Sequence, residues 1–268
     1  MLSPIRACRL SARLDGGSAL RFVLLVGAAA AVIAMMVPVT PAAERMAAGV
    51  PRLGGLLGRM WPPETDPAFL ARMGWRLLET MQIVLAGTVL GIALSLPVAW
   101  LAARGLTPLP WAAFAFKGLI SLFRTVPDLV WALIFVVTVG LGAVAGTMTI
   151  LVDTVGFCGR FVAEAMEDAD GAPQEALVAF GAPRAAVLMA AVIPDALPSI
   201  TGTALFALEK AVRSSVVLGL VGAGGIGQEL KSAFDLFQYP KAATIMIAIF
   251  AIVLAMEWLT DRLRRRLQ

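Results

Sequence analysis

Histidine is absent from this chain of 268 residues. Without an imidazole, most zinc chemistry, most general-base chemistry near neutral pH and every Ser–His or Cys–His nucleophile pair are excluded. The two cysteines, Cys8 and Cys158, stand far apart, with neither metal-ligand spacing nor the makings of a disulfide framework. Charge is sparse as well: 15% of residues are Asp, Glu, Lys or Arg and 59% are hydrophobic. A soluble domain carries about 25% charged and roughly 45–50% apolar residues, so a single soluble globule is excluded. The mean hydropathy of +0.85 says the same. None of the four lysines follows a glycine, and no G-x-x-x-x-G-K-[ST] phosphate loop occurs.

What is present is a series of long apolar runs. Residues 1–21 are polar and basic, with Arg6, Arg9, Arg13 and Arg21 against Asp15. The uncharged run Phe22–Val39 is about the shortest that spans a bilayer. A basic segment before an apolar one also describes a cleaved signal, but the run is long for that, and an uncleaved anchor is the favoured reading. Residues 40–76 form an extramembrane connection in which Pro41, Pro51, Pro62, Pro63 and Pro67 argue against a long regular element. Trp61 and Trp75 suit a membrane interface.

The further candidate spans are Ile83–Ala103, Leu129–Met148, Thr149–Ala165, Leu197–Val221 and Ala242–Trp258. Trp111–Arg124 holds Lys117 and Arg124, ends before Pro127, and reads as an interfacial approach helix. The expected fold is therefore an all-α membrane protein of about six transmembrane helices. Residues 77–262 form its main transmembrane domain, and 263–268 a basic tail. An even number of spans leaves both termini on one side, and their arginines place that side in the cytoplasm. The five arginines between residues 40 and 76 then lie on the wrong side, a conflict that a helix lying at the surface near Arg72 and Arg76 would ease.

The connector at about 168–194 has its own pattern. Glu175–Phe180 favours a short helix, Gly181 suits its C-terminal cap, and Pro183 suits the first turn of the next helix. The product is two short helices bent at Gly181. Glu175-Ala176-Leu177, Gly181 and then Ile193-Pro194 stand at the spacing Glu-Ala-Ala, three residues, Gly, nine residues, Ile-x-Leu-Pro. This resembles the EAA loop of bacterial ABC-importer permeases, with Leu177, Ala191 and Ile193 as apolar replacements. Three further segments resemble the phosphonate-importer permeases: Arg124–Phe135, Asp153–Phe157 with Ala163-Glu-Ala165, and Val217–Gly227. Methionine-importer permeases carry a similar glycine stretch. The resemblance covers roughly Glu79 to Leu267.

That resemblance implies a type I permease architecture in the bacterial cytoplasmic (inner) membrane. The implied role is the translocation subunit of an ATP-driven importer for phosphonate or a related phosphorus oxyanion. Glu175, Ala176, Gly181, Ile193 and Pro194 would couple it to a separate dimer of ATP-binding subunits. A periplasmic or lipid-anchored binding protein would deliver substrate, and a second permease copy would complete the path. No catalytic residue, metal, cofactor or nucleic-acid partner is expected, and lipids are the remaining contact. The alternatives are a permease for another small solute, such as methionine, or a membrane assembly subunit without transport.

Charges inside the fifth span need an explanation, because one at the bilayer centre costs about 2.5–3.5 kcal/mol on insertion scales. Glu209 and Arg213, four apart, share a helix face and can pair. They form either an internal ion pair that locks packing or part of a translocation path, where Arg213 would offer bidentate hydrogen bonds to an oxyanion. Asp128 is a candidate helix cap after Pro127. Asp153, Glu164 and Glu167 make a poor metal or acid–base cluster without histidine. Gly222-Ala-Gly224-Gly-Ile-Gly227 satisfies G-x-G-x-x-G, but no βαβ unit surrounds it. It reads as a turn where helices approach closely.

Overall fold

The computed structural model describes residues 16–36, 43–107 and 110–267, all helical or in turns. Most of the basic N-terminus with Cys8, the end of the first apolar run, and Thr40 and Pro41 lie outside the described residues. The chain divides into two compact units, residues 1–58 and 59–268.

The first unit contains α1 (Gly16–Met36) and nearly all of α2 (Ala43–Met60). From Arg21 to Met35 every residue of α1 is exposed, as an anchor that faces lipid would be. The second helix corrects the expectation that proline would break residues 40–76, since it runs straight through Pro51. Pro67 is likewise no breaker. It stands at the first position of α3 (Pro67–Ala102), behind Asp66, whose carboxylate accepts from the Phe69 amide at 3.0 Å. Proline there loses an amide that would have no partner anyway. The first core span thus begins well before Ile83.

In the second unit α3 packs mainly on α6 (Ala143–Glu167). Gly87, Gly91, Ser95 and Ala99 lie buried at four-residue intervals along α3. A Cβ on Gly87 would come within 2.8 Å of Ile150 Cβ, and one on Gly91 within 2.6 Å of Thr154 Cβ. Farther along, the Arg104 amide reaches Glu167. The constant offset makes the two helices parallel, and their small residues permit backbone approach where lipid provides no hydrophobic drive.

Between them the chain returns through α4 (Pro110–Thr125) and α5 (Asp128–Val139), bent by 91° at Pro127. The apolar run Leu129–Met148 is therefore not one span. It breaks at Gly140 and Gly142, whose φ of 100° and 129° few other residues adopt, and α6 starts at Ala143. Asp128 does not cap α5 with its side chain but sits in the first turn.

After α6 come α7 (Gly171–Ala179) and α8 (Arg184–Val187). From α8 the chain continues through a π-helical turn, Leu188–Val192, into α9 (Ile193–Leu220). The second connector helix thus has no end at Pro194. It flows into the span: Arg184–Leu220 runs as one helix, with the π-helical turn Leu188–Val192 directly before Pro194. The glycine run then turns the chain into α10 (Ile226–Asp235) and α11 (Tyr239–Leu267). It is a site of close approach: a Cβ on Gly219 would lie 2.6 Å from Gly227 Cα. Ala211 and Val212 share a core with Ile252 and Met256, and Val216 shares another with Ile245, so α9 and α11 are antiparallel.

Among the described residues three helices are long and apolar enough to cross a membrane: Pro67–Ala102, Arg184–Leu220 and Tyr239–Arg266. The bent pair α4–α5 makes a fourth if it is one broken span. Six elements are reached by adding α1 and α6. The sixth helix is about 37 Å long at 1.5 Å per residue, and its interior position explains why it tolerates charges that a lipid-facing helix would not.

Candidate functional site

The end of the second unit that carries α7 is built around Glu167, two residues past the apolar stretch of α6. Its Oε1 accepts from the Arg104 amide at 2.7 Å and from Lys117 Nζ at 2.8 Å, joining α6 to the chain just past α3 and to the middle of α4. Partial burial works to raise its pKa, but these hydrogen bonds and charges outweigh it and hold the carboxyl below its usual range. Three residues on, Asp170 caps α7 by accepting from the Ala172 amide at 3.0 Å. Its own amide donates to Asp195 Oδ2 at 2.9 Å, which ties the start of α7 to the start of α9.

The far end of α7 closes in a Schellman turn. The Gly181 amide donates to the Val178 carbonyl at 2.9 Å and the Ala182 amide to the Leu177 carbonyl at 3.1 Å. Gly181 takes φ 80°, the left-handed conformation that this cap requires. A Cβ there would meet nothing within 4 Å, so glycine serves conformation rather than space. No residue of α7 is buried, and Glu175, Ala176 and Gly181 are all exposed. Phe180, which the spacing did not single out, is 90% exposed beside Val178 at 61%. Its one signal in the sequence is a lone aromatic before the capping glycine. The other two predicted residues sit elsewhere: Ile193 packs on the core and Pro194 is exposed in the first turn of α9.

A second group of polar residues crosses the middle of the bundle. Arg213 Nη1 donates to Glu209 Oε1 at 2.8 Å, the i,i+4 pair expected from sequence. Lys210 Nζ reaches across to Asp153 of α6, at 2.7 and 2.9 Å from its two oxygens, and lies 5.4 Å from the centre of the Phe157 ring. Ser214 Oγ donates to Asp128 Oδ2 of α5 at 3.2 Å. Three helices are therefore joined by polar contacts on one face of α9. Asp153, Glu164 and Glu167 do not converge. Each has its own cation, Lys210, Arg160 or Lys117.

From this layer an aromatic ladder runs along α6 toward the end that carries α7. Phe157 stacks on Phe206 at 5.5 Å and meets Phe161 at 4.8 Å, and Arg124 lies 5.8 Å from the centre of the Phe161 ring. Cavities flank the ladder. One of about 490 Å³ lies between α4 and α6, with Lys117, Arg124, Arg160, Glu164, Ser121 and Thr125 among its lining residues. The other, about 670 Å³, lies between α6 and α9, with Arg264 of α11 among its lining residues. That contact places the basic end of α11 at the same end of the unit as α7.

Fold and site together define a polytopic helical membrane protein with a charged interior layer and a rigid, exposed helix–glycine–helix connector. Residues 67–268 match the family described as binding-protein-dependent transport system inner membrane component, and the chain belongs to that family. It is 37% identical over 219 residues to the phosphite transport system permease protein PtxC of Stutzerimonas stutzeri, covering 81% of this chain and 78% of that one. Identity is 38% over 213 residues to the phosphate-import permease protein PhnE of Mycolicibacterium smegmatis, 80% of this chain and 40% of that protein. An inward-facing crystal form of the MetNI methionine ABC transporter is similar with a TM-score of 0.67 at 22% identity, covering 76% of this chain and 100% of that one. This last likeness concerns the fold alone.

Proposed function

We propose that this chain is the membrane-spanning permease subunit of an ATP-driven importer for a small phosphorus oxyanion, worked by a separate ATPase through the turn at Glu175–Gly181. The observation that carries the coupling role is the Schellman turn that holds Phe180 and Val178 in solvent while Glu167 and Asp170 fix its base to the spans. A push on that turn is delivered to α3, α6 and α9 at once. Such a connector suits alternating access, in which closure of the ATPases biases a two-state bundle. Two copies of the chain, each with an ATPase, would enclose the path, and a substrate-binding protein would deliver from the far side. The relatives named for phosphite and phosphate favour an oxyanion over methionine. In the path reading Arg213, whose side chain is 47% exposed, meets that anion; in the structural reading the Glu209 pair only locks α9.

The test is co-purification of the detergent-solubilised chain with its ATPase, wild type against Phe180→Ala and Gly181→Trp. Loss of an aromatic anchor costs about 2 kcal/mol or more, so Phe180→Ala should bind roughly 30-fold more weakly. Gly181→Trp strains the left-handed turn, where an added Cβ meets nothing within 4 Å, and should uncouple transport while the spans stay folded. Binding unchanged in both variants would remove the coupling role and leave the assembly-subunit reading.

A further inference from the structure

We infer that α2 lies flat in the headgroup layer of the membrane, its apolar face in the acyl boundary and its arginines on anionic lipid headgroups. At helical spacing Val50, Leu53, Leu57 and Met60 fall on one face. Val50 is 70% exposed, and Leu53 and Leu57 are each 57% exposed, so among the described residues of the first unit none covers that face. Arg45, Arg52 and Arg59 recur at seven-residue intervals, and Arg52 and Arg59 stand exposed on the flank of the apolar face. A basic flank beside an apolar stripe is the pattern of an interfacial helix rather than a span.

A second observation is independent of the first. The helix contains Pro51 and the glycines Gly49, Gly54, Gly55 and Gly58, all poor helix formers. In water, with its apolar face bare, such a segment has little to hold it. At a bilayer interface partition of the apolar face favours the helix, and backbone groups deprived of water bond internally. The chain also keeps α2 close to lipid: only six residues separate it from α1, and six more from α3. Arginine on both sides of the apolar stretch would be wrong for a span, but suits a helix that lies along an anionic surface.

The inference rests on α1 and α3 crossing the membrane and not on what is transported, so its test uses no transport readout. The full-length chain, with Cys8→Ser and Cys158→Ala, is reconstituted in vesicles of mixed anionic and zwitterionic lipid. Nitroxide labels are placed at Leu57→Cys and, on the opposite face, at Ala48→Cys. At position 57 collisions with oxygen should exceed those with a water-soluble nickel chelate, and position 48 should show the reverse. Each arginine near an anionic surface contributes about fivefold to partition, so Arg52→Gln with Arg59→Gln should lower the embedded-to-detached ratio roughly 25-fold. Zwitterionic vesicles should do the same. Hydrogen exchange at amides 52–60 of the unsubstituted chain should be slow in anionic vesicles and fast in neutral ones. Equal chelate access at both labels would overturn the proposal. So would spin–spin broadening at position 57, which would mean that a second copy covers the face. Embedding that ignores both arginines and lipid charge would overturn its electrostatic part.

Discussion

Lys210 and Asp153 are the residues with most at stake, because each lies in the bundle interior with the other as its counter-ion. Two hydrogen bonds join them, and 15% of the Asp153 side chain is exposed. Removing one partner leaves the other charged or forced neutral, at a cost of about 3 kcal/mol. Lys210→Met alone should therefore reduce the yield and thermal stability of the solubilised chain. Lys210→Met with Asp153→Asn should recover much of the loss in a double-mutant cycle. Additive losses would mean that the pair contributes nothing. The Glu209–Arg213 pair was legible in the sequence, because four-residue spacing dictates a shared face. Lys210–Asp153 was not, since its partners are 57 residues apart and meet only through the packing of α6 on α9. Gly181 was legible for a local reason, the left-handed cap, whereas the Asp170–Asp195 and Glu167–Arg104 ties depend on the tertiary fold.

At the level of the element, α3 fits closely against α6. Its small residues leave no room: a Cβ at position 91 would sit 2.6 Å from Thr154 Cβ and 3.1 Å from the Leu151 carbonyl. Gly91→Val should thus force the helices apart, at about 1–3 kcal/mol for overpacking. The variant should show a lowered melting temperature in detergent and poor recovery in the membrane fraction. Gly118→Val, where nothing lies within 4 Å, should not. Equal behaviour of the two would remove the close-packed seam from the account. Boundaries were the least legible feature of the elements. Composition alone fused α5 to the start of α6, since Leu141 keeps the run apolar between two glycines. Proline counting dissolved α2 and the start of α3, although Pro67 only opens its helix.

For the molecule as a whole, charge asymmetry within the second unit decides orientation. The end that bears α7 also carries Arg104, Lys117, Arg184 and the Arg262–Arg266 stretch of α11, tied together through Glu167, Thr107 and the cavity at Arg264. The opposite end, with the glycine turn and α10, holds fewer: Lys231, Lys241, and Arg72 and Arg76 of α3, which line one cavity with Glu229 of α10. The positive-inside rule predicts that the α7 end faces the cytoplasm, where ATP would be available to a partner. Arg45, Arg52 and Arg59 no longer contradict this if α2 rests on lipid headgroups, because they are then surface contacts rather than loop charges that set topology; Arg72 and Arg76, in α3, still count against it. The prediction is that Val178→Cys, 61% exposed beside Phe180, reacts with a membrane-impermeant maleimide in inside-out vesicles and not in intact spheroplasts. Leu236→Cys at the end of α10, 64% exposed, should react in the reverse pattern. Cys8 and Cys158 are replaced in both. Reaction of both positions from the same side would contradict the antiparallel path of the chain through α9. Exchange of the two patterns would invert the protein in the membrane and place the docking turn where no ATPase can reach it, ending the coupling proposal whatever its sequence spacing.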